Sequence, residues 1–187
     1  MNRAKTRGRI FDTIMTILKI CEFPDPVLRK TTALVEVFDE ELGKLAADMA
    51  ATMFDAPGVG LAAPQIGKSI KMIVVDHSRY EEEETPGTWL ALVNPEIIAA
   101  EGRQCDSEGC LSVPELTSKV NRHRKVTVRY QDLQGEPREI AAEDRFAVVL
   151  QHEIDHLNGV LFLDHLSSLK RGLYLKKYKK WLSQQQN

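Results

Sequence analysis

The sequence predicts an α+β fold in which antiparallel or mixed β-sheets pack around a central helix, with another helix at the C-terminal end. Two observations predict this class. Strand-like runs rich in Val and Ile alternate with helical stretches in an irregular order, and no βαβ unit recurs along the chain. The 187 residues, 43% of them hydrophobic, are enough for one domain with a full core, and we expect residues 15–187 to form it.

The N-terminal residues 1–14 do not fit this domain. Four basic side chains stand here against a single acid, Asp12: Arg3, Lys5, Arg7 and Arg9. One interpretation is an amphipathic organelle-targeting segment, and the other is a disordered extension. Because the segment is short and poor in serine, we favour the disordered extension.

The first secondary-structure elements are predicted from apolar spacing. A strand is expected at residues 17–20 and a helix at residues 39–54, with Asp39 as its N-cap. The apolar side chains of this helix fall on one stripe: Leu42, Leu45, Ala46, Met49 and Met53.

Two strands and an acidic loop follow. Residues 71–76 read as a buried strand, residues 81–87 as a solvated loop, and residues 89–93 as a further strand that Asn94-Pro95 closes.

The second half of the domain continues with a predicted hairpin and two helices. Residues 125–131 alternate as a half-buried strand should, and a turn at residues 132–135 leads into a partner strand at 139–141. A helix is predicted at residues 144–157, ended by Asn158-Gly159. A short strand at residues 160–163 precedes the last helix, which begins near Ser167.

Charge and composition exclude several classes of partner. The net charge of −2 gives no overall attraction to DNA, and no apolar run is long enough to span a membrane. The cysteines are Cys21, Cys105 and Cys110, an odd number without disulfide spacing, and no secretory signal precedes them. We therefore expect a cytoplasmic protein in a reducing compartment.

The helix at residues 144–157 carries two histidines four positions apart. His152 and His156 share one helical face and can bind one metal ion, while Glu153 beside them can act on a water molecule held there. The alternatives are two hydrogen-bonded core histidines or a structural zinc site. A hydrolytic metal site is the preferred interpretation, and this helix is then the central metal-binding helix of the fold.

A catalytic site of this kind takes three protein ligands and leaves one position for water. His165 follows His156 too closely to match the third ligand of the known protease classes. Cys110, within Glu108-Gly109-Cys110-Leu111-Ser112, is the better candidate. Free cysteine is usually a small buried apolar residue, which remains the interpretation of Cys21 and Cys105.

Three blocks of sequence together resemble the signature motifs of the peptide deformylases. They are Gly58-Val59-Gly60-Leu61-Ala62-Ala63-Pro64-Gln65, Glu108-Gly109-Cys110-Leu111-Ser112 and Gln151-His152-Glu153-Ile154-Asp155-His156. The resemblance extends from about residue 15 to the end of the chain, which would make residues 15–187 a single catalytic domain. It implies a hydrolase that removes the formyl group from the N-terminal methionine of nascent polypeptides and releases formate.

The resemblance also implies roles for individual residues. Cys110, His152 and His156 would be the metal ligands, and Glu153 the general base and acid. Gln65 and the backbone N–H of Leu111 would stabilise the developing oxyanion, each as a catalytic residue. The implied ion is Fe²⁺, one per chain, for which Zn²⁺ or Ni²⁺ can substitute.

The same resemblance places N-formylmethionyl peptides along the first block. Val59, Gly60 and Gly109 would bind substrate, with the glycines allowing a close approach of the peptide backbone. Ile154 is the candidate from the metal-binding helix for the methionine pocket. The alternatives are a zinc endopeptidase or aminopeptidase-like metalloprotease and a non-enzymatic binding module.

Two further features carry open interpretations. Glu108 and Asp155 are either partners that orient metal ligands or members of surface salt bridges. The family often has a basic residue shortly after Pro114-Glu115, where this chain has Leu116 and Thr117; Arg122 or Arg124 would have to replace it.

The C-terminal helix is strongly basic. Its cationic residues are Lys170, Arg171, Lys176, Lys177, Lys179 and Lys180, and its expected apolar side is Leu169, Leu173 and Leu182. It is either a solvated face of a packed helix or a contact with the ribosome.

Overall fold

The structure, a computed structural model, describes residues 15–78 and 87–185. The basic segment at residues 1–14, for which a disordered extension was predicted, lies outside the described residues, as does nearly all of the acidic loop at 81–87.

Two antiparallel sheets and three helices make up the described fold, which confirms the predicted α+β class. The strands are β1 (Gly60–Ala62), β2 (Met72–Asp76), β3 (Trp89–Glu101), β4 (Gln104–Cys110), β5 (Val113–Arg122), β6 (Lys125–Gln131) and β7 (Pro137–Glu143). The helices are α1 (Glu40–Asp55), α2 (Asp144–Leu157) and α3 (Ser168–Gln185). The five-stranded sheet has the order β1-β2-β3-β6-β7, and β4 pairs with β5 alone.

The five-stranded sheet is covered by a helix on each face. Along β2, Ile73 and Val75 pack in the cluster that contains α2, while Met72 and Val74 pack in the cluster that contains α1. Side chains alternate between the faces of a strand, so a strand that is covered on both faces is apolar throughout. This explains the continuous apolar run of β2.

The two long predicted helices are confirmed to within a residue. Asp39 caps α1, because its side chain accepts a hydrogen bond from the N–H of Leu42 at 3.0 Å. Helix α2 ends at Leu157 and is followed by Gly159, whose φ of 70° suits glycine. Nearly every side chain of α2 is buried, so the helix runs through the interior between the two sheets.

The strand predicted at residues 89–93 continues through Asn94 and Pro95 to Glu101, so the predicted end was wrong. Asn94 takes a φ of 52°, and the pairing of β3 with β6 shifts register between Val93 and Glu96. This β-bulge places the proline where no ladder hydrogen bond is needed.

Two predicted strands are absent from the described structure. Residues 17–20 form no strand, because the backbone N–H of Leu18 donates to the Thr52 side chain of α1 instead of to a neighbouring strand. Residues 160–163 run into the 3₁₀ helix Phe162–His165, in which the side chain of Asp164 accepts a hydrogen bond from the N–H of Leu161 at 2.9 Å.

Helix α3 begins at Ser168, one residue after the predicted start, but it packs through a different side. Leu169 and Leu173 are 72% and 62% exposed, whereas Tyr174 and Tyr178 are buried. The apolar side expected from the leucines was therefore wrong for Leu169 and Leu173. Among the helices of the described residues, none has the length and apolar character needed to cross a bilayer.

Candidate metal centre and active site

Three ligand-type side chains meet between α2 and the end of β4. The sulfur of Cys110 and one ring nitrogen each of His152 and His156 lie within 4.8 Å of one another. The Sγ atom of Cys110 is 3.3 Å from Nε2 of His156. Both imidazoles lie on one face of α2 because they are four residues apart, and β4 ends directly above that face.

His152 is oriented by a buried carboxylate on β4. Its Nδ1 atom is 2.8 Å from Oε2 of Glu108, which leaves Nε2 to face the site. Arg122 holds Glu108 by a fork of two hydrogen bonds, at 2.8 Å and 3.0 Å, and both side chains are almost completely buried. Of the two interpretations of Glu108, the contact favours the one in which it orients His152 over the surface salt bridge.

The network continues from Arg122 toward the surface. Nη1 of Arg122 donates to Oδ2 of Asp155 at 2.6 Å, and Nε2 of His165 lies 2.7 Å from the same oxygen. Asp155 thus acts on His152 through Arg122 and Glu108. Arg122 is engaged in this network, and Arg124 is paired with Asp144 at the surface.

Burial and hydrogen bonding set the charges in the site. Burial alone would raise the pKa of Glu108, but hydrogen bonds from His152 and Arg122 outweigh it and lower the pKa to about 2. Burial acts to lower the pKa of His152, yet its contacts with Cys110 and Glu108 raise it well above the ordinary value. Burial and the charge of His152 hold the pKa of His156 well below its usual range. The site therefore favours a proton on His152, and a bound metal cation could take the place of that proton.

The donor set fits a divalent metal ion. One sulfur and two imidazole nitrogens are the three protein ligands that leave a catalytic ion one open position. Oε2 of Glu153 is buried and has no hydrogen-bond partner among the described residues. A buried carboxylate oxygen without a partner is costly, and a water molecule beside the ion would supply the missing donor.

Glu153 lies against the backbone of β1. Burial raises its pKa to about 7, a value suited to taking up and releasing a proton near neutral pH. A Cβ atom at Gly60 would lie 2.4 Å from Oε1 of Glu153, so the position tolerates only glycine without a shift of the carboxylate. Gly60 therefore gives Glu153 its place next to the histidines.

Gln65 reaches the site from the 3₁₀ helix Ala63–Ile66 that follows β1. Its Oε1 accepts a hydrogen bond from the N–H of Ala62 at 2.8 Å, which aims the amide nitrogen at the site. That nitrogen is 3.6 Å from Sγ of Cys110 and 3.2 Å from Oγ of Ser112. The side chain is 1% exposed, so the amide is held in a fixed orientation.

A cleft of about 490 Å³ opens beside these residues. It is lined by five residues predicted to contact substrate or its oxyanion, namely Val59, Gly60, Gln65, Gly109 and Leu111. Ile154 is not among the lining residues and is buried in the core between α2 and the sheet. Val148 and Val149 line the cleft instead of Ile154. They precede His152 by four and three positions, so helical spacing alone would have placed them on the same face of α2 as the histidines.

One cysteine sulfur and two imidazoles beside a buried carboxylate, in the wall of a cleft, are the arrangement of a metal-dependent amide hydrolase. The polypeptide deformylase family model matches residues 17–172. The chain belongs to this family.

Relatives and solved structures agree with this assignment. A peptide deformylase of Desulfotalea psychrophila is 64% identical over 167 residues, which cover 89% of this chain and 98% of that protein. A crystal structure of a peptide deformylase from Legionella pneumophila has a TM-score of 0.82 and 47% identity, covering 92% of this chain and 99% of that one. A Met-Ala-Ser-bound class I type b peptide deformylase from Acinetobacter baumannii has a TM-score of 0.74 and 36% identity, covering 82% and 100%.

Family membership decides between the functions left open by the sequence. Enzymes of this family are metal-dependent and remove the N-formyl group from nascent polypeptides, and this chain is such a hydrolase. The endopeptidase alternative and the non-enzymatic alternative are therefore set aside.

Proposed function

We propose that Cys110, His152 and His156 hold one divalent metal ion and that Glu153 acts beside it in hydrolysis of the N-formyl amide. The observation that carries this proposal is the meeting of one sulfur and two nitrogen donors within 4.8 Å of one another, next to a buried carboxylate. When bound, a divalent ion lowers the pKa of a water molecule toward neutrality and polarises the formyl carbonyl.

The ion is proposed to be Fe²⁺, one per chain, with Zn²⁺ or Ni²⁺ able to substitute. A thiolate ligand makes this donor set softer than three imidazoles, and it suits all three ions. Because ferrous iron and a thiolate both oxidise, the iron form should lose activity in air faster than the zinc form.

Glu153 moves the proton in this mechanism. Its carboxylate takes a proton from the attacking water, and it then delivers the proton to the leaving amine nitrogen of methionine. Its unpartnered oxygen and its pKa near 7 suit both steps. The products are formate and a free α-amino group.

Gln65 and Leu111 are proposed to stabilise the negative charge that develops on the formyl oxygen. The amide nitrogen of Gln65 already points at the ligand sulfur, so it can donate to an oxygen placed beside the ion. The backbone N–H of Leu111, next to Cys110, is the second donor. Loss of one such donor typically lowers the rate about 10²–10³-fold.

The peptide is proposed to lie along the cleft as an added strand. Val59, Gly60 and Gly109 present backbone at the lining of the cleft, and glycine lets a second backbone approach closely. The methionine side chain would contact Val148 and Val149 on α2, between the metal ligands and the start of that helix. The substrate class is N-formylmethionyl peptides.

A direct comparison of two acylated peptides tests the proposal. The anaerobically purified chain, supplied with Fe²⁺, should release formate from formyl-Met-Ala-Ser and should leave acetyl-Met-Ala-Ser intact. Glu153→Gln should abolish formate release while one metal ion per chain remains bound. Hydrolysis by the Glu153→Gln variant at the wild-type rate would refute the proposed role of this carboxylate.

The basic face of α3 is proposed to contact the ribosome, where formylated chains emerge, and the protein to work in the cytoplasm. Its cationic side chains are all exposed: Lys170, Arg171, Lys176, Lys177, Lys179 and Lys180. Attraction between such a face and ribosomal RNA would weaken steeply with salt. Replacing Lys176, Lys177 and Lys180 together by alanine should reduce co-sedimentation with ribosomes without changing turnover of a free peptide.

A further inference from the structure

One side of α3 carries three aromatic rings stacked in a column. The ring centroids of Tyr174 and Tyr178 are 5.6 Å apart, and those of Tyr178 and Trp181 are 5.5 Å apart, with interplanar angles of 21° and 22°. Tyr174 and Tyr178 are 5% and 3% exposed. The hydroxyl groups of these tyrosines are buried together with the rings, so each needs a hydrogen-bond partner.

Both hydroxyls bind backbone carbonyls, one directly in the segment that follows Cys110 and the other in a residue that is hydrogen-bonded to that segment. Tyr174 donates to the carbonyl of Pro114 at 3.1 Å. Tyr178 donates to the carbonyl of Phe23, whose own N–H donates to the carbonyl of Ser112 at 2.7 Å. Helix α3 is thus linked twice to the chain that follows Cys110.

That chain segment forms part of the cleft wall. Val113, Pro114 and Glu115 line the cleft. Glu115 has a φ of 61°, in the left-handed region that residues with side chains adopt at a cost. A strained wall keeps its shape only where neighbouring groups hold it, and the hydroxyl of Tyr174 binds the residue just before the strained one.

The tyrosine hydroxyl stays a hydrogen-bond donor throughout the physiological range. Burial raises the pKa of Tyr174, and the nearby charges of Tyr178 and Cys110 act in the same direction. Among the described residues, no hydrogen bond joins Tyr174 to a metal ligand, and its hydroxyl is bonded to the cleft wall at Pro114.

We infer that Tyr174 is a positioning residue of the substrate cleft, which holds the wall at Val113–Glu115 in its peptide-accepting shape through the Pro114 carbonyl. The inference rests on the proposed function, because it takes this cleft as the peptide site. Helix α3 is then part of the substrate-binding structure as well as a basic surface. Since Glu153 and the metal ligands are untouched, the effect falls on KM and leaves kcat nearly unchanged.

Tyr174→Phe in the full metal-bound chain tests this inference. Phenylalanine removes one oxygen and keeps the ring stack. KM for formyl-Met-Ala-Ser should rise about threefold to tenfold, the usual effect of one hydrogen bond, and kcat should stay within about twofold. Leu173→Ala is the matched control, because Leu173 is the preceding residue of the same helix and is 62% exposed; its KM should equal that of the wild type.

Amide hydrogen exchange gives a second readout that needs no turnover. Residues 112–117 should exchange faster in Tyr174→Phe than in the wild type or in Leu173→Ala. If Tyr174→Phe lowers the Tm but leaves KM unchanged, Tyr174 only packs, and the inference is overturned. If the wild type releases no formate, the proposed function fails, and the exchange comparison alone then tests the inference. Faster exchange of residues 112–117 in Tyr174→Phe supports the proposal that Tyr174 holds the cleft wall, and equal exchange overturns it.

Discussion

The Nδ1 atom of His152 lies 2.8 Å from Oε2 of Glu108, and the same carboxylate receives the forked guanidinium of Arg122. This contact fixes which ring nitrogen of His152 faces the metal centre. It also raises the electron density on the imidazole, because the carboxylate is held ionised by Arg122. Metal affinity at the proposed centre should therefore depend on a residue that is not itself a proposed ligand.

Glu108→Gln should weaken metal binding about tenfold to a hundredfold. Glutamine keeps the size of the side chain but removes the charge that orients His152 and pairs with Arg122. Competition between the protein and a chelator for Zn²⁺ measures the effect. Glu96→Gln is the control, because Glu96 is an exposed glutamate that pairs with Arg129 at the surface. Equal zinc affinity in both variants would contradict the role given to Glu108.

Gly60→Ala should abolish most of the activity, because its Cβ would lie 2.4 Å from Oε1 of Glu153 and would displace the carboxylate. Metal content should be close to that of the wild type, since the ligands lie elsewhere. Gly43→Ala is the matched control. Gly43 lies inside α1 with open space around it, and alanine there should raise stability by about 0.5–1 kcal/mol.

Steady-state kinetics and thermal unfolding of the two variants give the comparison. A Gly60→Ala enzyme with wild-type kcat/KM would show that Glu153 does not need its present position.

Arg122→Met should lower the free energy of unfolding by about 3–5 kcal/mol, because it removes the guanidinium that pairs with the buried charge of Glu108. Arg129→Met removes a similar ion pair, but both of its side chains are more than half exposed, so the cost should be much smaller than that of Arg122→Met. Urea unfolding of the metal-free proteins measures both values. Similar losses in the two variants would mean that the pair between Arg122 and Glu108 is screened by solvent.

These contacts also mark the limit of sequence reasoning. The spacing of His152 and His156 predicts two metal ligands because helical geometry is regular over four residues. Arg122 could not be assigned to Glu108, since the β4–β5 register places Arg122 opposite Gln104 and Glu108 opposite Ser118, and the contact between the two side chains appears only in the folded structure. Those strands were themselves missed, because most of their side chains are polar or exposed and show no apolar alternation.

Helix α3 illustrates a second limit. Leucines and aromatic residues both recur at helical spacing in this segment, and periodicity cannot tell which stripe is packed. Tyr174 and Tyr178 take the buried side because their hydroxyls reach the backbone carbonyls of Pro114 and Phe23. Leu169 and Leu173 are left facing solvent.

Asp48 should make stability depend on pH in the acid range. Burial opposes its ionisation, but hydrogen bonds from Lys44 and from the N–H of Thr16 outweigh burial and lower its pKa. A carboxyl group whose pKa is lower in the folded state makes its full contribution to the free energy of unfolding above its unfolded-state pKa of about 3.9. This contribution is lost as the pH falls through the folded-state pKa.

Asp48→Asn should therefore cost about 1 kcal/mol at pH 7 and progressively less below about pH 4. Chemical unfolding at several pH values measures the difference from the wild type. Asp55→Asn, at the exposed end of the same helix, is the matched control. A cost of Asp48→Asn that grows toward low pH would have the wrong sign for this account.

Cobalt substitution tests the central claim, that Cys110 and the two histidines hold one ion, most directly. A thiolate bound to Co²⁺ gives a near-ultraviolet charge-transfer band, so the wild type should show this band with a break at one equivalent of Co²⁺. Cys21→Ser and Cys105→Ser should keep the band, and Cys110→Ser should lose it. A band that survives in Cys110→Ser, or that disappears in either of the other variants, would contradict the account.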